Sequence, residues 1–137
     1  MSVLKAENLS KSIKKTRIVE SITLEVHSGE VVGLLGPNGA GKTTTFYMIC
    51  GLLEPSGGKV FLDNNDISAK PLHERSHLGI GYLPQESSIF KDLSVEDNLL
   101  LAAQSAFKSK KEQENRIEVM LEAFNIETIR DRKGVSL

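Results

Sequence analysis

Two stretches near the N-terminus alternate apolar and polar residues: "SVLKAENL", and "SITLEV", which sets Ile22, Leu24 and Val26 on one side of the chain. A period of two is that of a half-buried strand, so both are expected as strands, antiparallel and joined through the basic turn "KSIKKTR". "EVVGLLG" is apolar without alternation, as a strand covered on both faces would be. A Gly-rich loop follows, then "KTTTFYMICGLL", a helix that Gly51 and Pro55 should close. "SGGKVFLDNNDI" reads as a turn, a strand and a tight polar turn. "PLHERSHL" reads as a short helix with Pro71 at its first position, and "GIGYLPQ" as one more short strand.

Beyond this the period changes. Ser94-x-x-Asp97 and Ser109-x-x-Glu112 both have the form of capping boxes. The second opens a helix in which Ile117, Met120, Leu121 and Phe124 share one face. The pattern therefore divides the chain into a mixed α/β portion, residues 1–90, and a helical portion, residues 91–137.

Composition narrows the classes. With 17 basic against 18 acidic side chains and a net charge of −1, the chain is not built to coat nucleic acid. The basic cluster Lys11 to Arg17 reads as a solvated hairpin. The lone Cys50, set in "FYMICGLL", reads as a packed thiol. "MSVLKAENLSKS" lacks the apolar segment of a signal peptide, and no apolar run approaches the ~20 residues of a membrane helix. Any membrane connection is expected through a partner. His27, His73 and His77 have no metal-ligand spacing. Glu112, Glu114, Glu118 and Glu122 read as a solvated helix face.

One motif carries chemistry. Residues 36–43, "GPNGAGKT", match G-x-x-x-x-G-K-[ST] between an expected strand and an expected helix. Gly36 permits a sharp exit from the strand. Gly39 and Gly41 permit conformations that turn successive N–H groups after Pro37, from Asn38 through Ala40 to Thr44, around a phosphate. The helix that begins near Lys42 aims its unsatisfied amides and positive dipole end at the same point. Lys42 supplies a mobile charge for the β/γ-phosphates, and Thr43 a hydroxyl for Mg²⁺, with Thr44 next to it. Asp63 ends the apolar strand "KVFLD" and superficially suggests a metal-binding carboxylate. Its place in "DNND" makes it a two-residue hairpin turn instead.

The run "GPNGAGKTTTF", taken with "GGKVFLDNNDI" and "IGYLPQE", resembles the first half of the ABC-transporter ATPases over essentially the whole chain. Within that family, "TTTFYM" and "LPQESSIF" are more similar to the ATPases of lipopolysaccharide exporters than to those of branched-chain amino-acid transporters. The resemblance implies the α/β fold of a P-loop NTPase: an antiparallel β subdomain with part of a RecA-like core, then part of a helical subdomain. It implies ATP and Mg²⁺ as ligands and hydrolysis coupled to lipopolysaccharide export. It further implies a homodimer in the complete ATPase, integral-membrane subunits as partners, and a cytoplasmic, peripheral place on the inner membrane.

The same resemblance puts Gln85 at the Q-loop, where a neutral amide touches Mg²⁺ or the attacking water. Lys42 and Gln85 are then the catalytic candidates. It also puts Ile13 where the family usually stacks an aromatic on adenine. An aliphatic side chain there loses part of the stacking gain, and plain hairpin packing is the alternative. Phe90, with Ile89 and Lys91 in "ESSIFKDLSVEDN", would line a groove that receives a helix of the membrane subunit, or else both apolar residues tuck into the seam between the two parts of the chain. "VSL" at 135–137 resembles the approach to the family signature L-S-G-G-[EQ]. The expectation is that this is a cut, with the rest of the signature, the acidic strand, the catalytic Glu and the switch His lying beyond it. Residues 1–137 alone should then bind nucleotide without turnover, and self-associate through the bared "EVVGLL". A P-loop metabolic kinase is disfavoured, because Arg116, Arg130 and Arg132 are too scattered for a phosphoryl-clamping lid.

Overall fold

A computed structural model describes all residues, 1–137, in two compact units, Met1–Leu83 and Pro84–Leu137. The first unit is an antiparallel sheet with a helix on one face. Strand β1 (Val3–Ile13) pairs with β2 (Thr16–His27) around a turn at Lys14 and Lys15. Strand β3 (Gly57–Leu62) lies on the other side of β1, and the short β4 (Asn65–Asp66) closes the order β2-β1-β3-β4. The expected alternation holds. Ala6, Leu9, Val19 and Val60 are buried on one face, where Ile22 and Leu24 pack beside them. The basic cluster lies mostly along the ends of paired strands, because the ladder runs on to Ile13 and Thr16.

Helix α1 (Lys42–Cys50) supplies Met48 and Ile49 to that core. It ends where expected, at Gly51, which takes the left-handed φ of 81° that a Cβ would resist. The Asp63-Asn64 turn also matches expectation. Both residues have positive φ, 50° and 67°, as a two-residue hairpin between twisted strands requires. Asp63 Oδ1 accepts the Val3 N–H at 2.8 Å, so its carboxylate is engaged in the fold.

Three local expectations for this unit are corrected. "EVVGLLG" forms no strand: Val31 is 98% and Leu35 92% exposed. An apolar run becomes a strand only beside another strand, and no strand among these residues lies along it. "GIGYLPQ" is likewise unpaired, for the same reason. Pro71 is the N-cap rather than the first helical residue, since its ψ of 167° is extended; helix α2 runs Leu72–His77.

The second unit packs α3 (Val95–Ala106) on α4 (Lys110–Ala123) through Val95, Ala103, Ile117 and Leu121. Ser94 makes the expected capping box: its Oγ accepts from the Asp97 amide at 3.0 Å, and Asp97 Oδ2 accepts from the Ser94 amide at 3.4 Å. Ser109 makes no such side-chain bond, a second capping box that sequence spacing suggests and exposure to water makes unnecessary. Phe124 leaves the expected apolar face and is 68% exposed, because it is the C-cap of α4, where the helical direction is already lost. No helix is long and apolar enough to cross a membrane.

Candidate phosphate-binding site

The candidate loop leads into the N-terminus of α1. Gly39 and Gly41 have φ of 82° and 83°, the left-handed region in which an L side chain is strained. Gly41 has a second reason to be glycine. A Cβ there would lie 2.8 Å from Ile18 O and 2.8 Å from Val19 Cγ2, so the turn is seated against β2. Ala40 N–H donates to Pro37 O at 3.2 Å, and the Thr45 hydroxyl donates to Gly41 O at 2.9 Å. These bonds set the loop's curvature from within.

Lys42 Nζ donates to Gly36 O at 2.6 Å and Pro37 O at 2.7 Å, folding the side chain back over the loop. Gly41 caps α1 without a side-chain bond, and the helix's first turn carries no acidic residue. The first amides of α1 therefore keep both their donors and an uncompensated positive dipole end. Thr43 is exposed beside them and Thr44 half-buried. This donor set fits a phosphate chain, with Mg²⁺ at the Thr43 hydroxyl. No group of three or more His, Cys, Asp or Glu is placed to hold a metal ion.

Ile13 ends β1 in the same unit and is 50% exposed, outside the buried cluster. Gln85 belongs to the second unit, where it is exposed at a bend. Phe90, also in that unit, is 61% exposed and Ile89 42%. His27, His73 and His77 are all exposed.

Sequence reasoning missed Arg75. Its side chain is buried, at 1% exposure, against no carboxylate. Its guanidinium donates to Met48 O at 2.8 Å and Ile49 O at 2.5 Å, to Ser68 O at 2.9 Å and to Lys70 O at 2.7 Å. Arg75 thus satisfies carbonyls at the C-terminal end of α1, whose other end forms the phosphate loop. Burial lowers its pKa, and burial raises that of the neighbouring Cys50 thiol, which is packed as expected. Nothing in "LHERSH" marks this role, because the acceptors are distant backbone atoms.

The sequence pattern of the ABC transporter family matches residues 19–136. The chain belongs to that family, whose members bind ATP, generally with Mg²⁺. It is 53% identical over 138 residues to the lipopolysaccharide export system ATP-binding protein LptB of Escherichia coli K12, covering 100% of this chain and 57% of that protein. The LptB of Acidithiobacillus ferridurans is 47% identical over 135 residues, covering 98% and 56%. Among solved structures, the ADP conformation of MJ1267, an ATP-binding cassette of an ABC transporter, superposes with a TM-score of 0.83 at 28% identity. That match covers 100% of this chain and 59% of the other. The chain thus spans somewhat over half the length of the relatives it matches.

Proposed function

We propose that this chain is the ATP-binding portion of an ABC ATPase that drives lipopolysaccharide export through integral-membrane subunits. The observation that carries the nucleotide reading is the open N-terminus of α1 behind Gly41, with Lys42 folded over the loop. Residues Gly36, Pro37, Asn38, Gly39, Ala40, Gly41, Lys42, Thr43 and Thr44 line the triphosphate. Lys42 exchanges two neutral carbonyls for phosphate oxygens, a charge-assisted and therefore stronger pairing. By the family resemblance Thr43 and Gln85 would each hold Mg²⁺, which would neutralise charge on the phosphates when bound. Gln85 also orients water, and Ile13 borders the adenine.

The substrate follows from similarity to LptB, whose name states lipopolysaccharide export. The exposed pair Ile89 and Phe90 offers a membrane subunit an apolar anchor. Similarity to LptB, and not this pair, supports reading the longer ATPase as a homodimer held peripherally on the cytoplasmic face of the inner membrane. Residues 1–137 bind nucleotide without turnover. The carboxylate that ends β3, Asp63, is committed to Val3 and its own turn. Calorimetric titration of the chain with Mg·ATP beside a phosphate-release assay tests both parts: binding without release is expected, and no binding overturns the nucleotide reading. Docking is tested by Phe90→Ala in the longer ATPase. Co-purification with the membrane subunits should drop while ATP binding persists; joint loss of ATP binding and thermal stability overturns it.

A further inference from the structure

The loop that carries Phe90 is exposed in its side chains and fixed in its backbone. Asn98 of α3 uses its amide in both directions: Oδ1 accepts the Phe90 N–H at 2.8 Å, and Nδ2 donates to Phe90 O at 3.0 Å and Ser94 O at 2.8 Å. The chain then returns along the same loop. Gly134 N–H donates to Leu93 O at 2.9 Å and Val135 N–H to Lys91 O at 2.9 Å, with Ser94 and Lys133 paired antiparallel between them. Val95 and Glu96 donate their amides to Arg132 O and Arg130 O, each at 3.0 Å. Arg130 anchors this returning segment to both helices, through Glu96 at 2.7 Å and Glu118 at 2.9 Å.

Gly134 is the point of closest approach. It is buried, and a Cβ would lie 3.0 Å from Phe90 O, 3.1 Å from Ile89 Cδ1 and 3.2 Å from Lys91 Cα. Gly134 contributes no side chain of its own, and its backbone meets the Phe90–Lys91 backbone and the tip of Ile89, so a displacement of one stretch presses directly on the other.

We propose that Asn98 and Gly134 are positioning residues of a single clamp, Ile89–Ser94 with Arg130–Val135, so that a partner gripping Phe90 also fixes the segment that ends in Val135. This rests on the reading of Phe90 as the docking anchor, and adds the route by which docking reaches a second stretch of chain. The clamp converts a local grip into the placement of a segment distant in sequence, because backbone bonds leave neither strand free to move alone.

Amide hydrogen exchange on the full chain, read residue by residue, tests it without any partner. Asn98→Ala should speed exchange at Phe90 and also at Gly134 and Val135, which Asn98 does not touch, by about tenfold or more. Leu121, fully buried on α4, should be unchanged. Gly134→Ala should speed exchange at Phe90 in the converse direction. Acceleration confined to Phe90 in the first variant and to Gly134 in the second overturns the clamp. So does an equal acceleration that includes Leu121 in both variants, the mark of ordinary destabilisation. Because exchange needs no membrane subunit, a failed clamp and a failed docking surface give separate results: the first shows here, the second in co-purification of Phe90→Ala.

Discussion

At the start of α1, Gly41 offers the first amides no side-chain partner, whereas at the start of α3 they are surrounded by Ser94, Asp97 and the carbonyls of Arg130 and Arg132. Both helices leave the same kind of orphan donors. In α3 they are spent on the fold, with Glu96 and Asp97 adding negative charge in the first turn. In α1 they are kept, and the loop before them is held by the Lys42 side chain and by a single loop amide, that of Ala40. The difference separates a helix end that closes a structure from one whose donors are left open, the feature on which the proposed nucleotide site rests.

The largest way to break this comparison is Lys42→Ala. It should weaken Mg·ATP binding by roughly 3 kcal/mol, about two orders of magnitude, since charged hydrogen bonds each contribute several times a neutral one. Calorimetric titration reads this directly, and an unchanged affinity would sink the phosphate-loop reading. Gly41→Ala comes next. Its positive φ alone costs about 1–3 kcal/mol, before the contact with Ile18 O, so a lower melting temperature of the first unit is expected. Ser94→Ala attacks the other helix start, and should cost up to about 2 kcal/mol of stability with nucleotide affinity untouched. Denaturant unfolding beside the same titration separates the two effects. The smallest effect sharpens rather than breaks: Ile13→Tyr should tighten ATP by about 0.5–1.5 kcal/mol through stacking. A fluorescent ATP analogue that binds both proteins equally would show that residue 13 does not border the base.

What could be read from the sequence depended on how local its cause was. The β1–β2 pair, the Asp63-Asn64 turn, the close of α1 at Gly51 and the Ser94 box rest on residues a few positions apart, and each appears as the pattern implies. The left-handed Gly39 and Gly41 ahead of α1 were legible for the same reason, falling in one short run with fixed glycine positions. "EVVGLLG" was not, because a doubly covered strand is defined by neighbours and its apolarity says only that it wants them. Arg75 was not, because its acceptors are carbonyls from Met48 to Lys70 that only folding gathers. Phe124 obeyed its period until the helix stopped one residue early for it.

Arg75 also decides where this chain could accept extra residues. The guanidinium presents its donors in one rigid plane, and four carbonyls from two separate stretches are placed around it. A loop lengthened between Ser68 and Lys70 would carry one of those carbonyls out of the plane and leave a buried donor unmatched. A lysine at 75 could not restore the set, having three donors on a single nitrogen. The tip at Lys14 and Lys15, exposed and tied to nothing beyond its own hairpin, has no such constraint. Two loops of the same unit thus differ in kind: one is a site where domains could be grafted or the chain reopened, and the other is a keystone whose length the fold has already chosen.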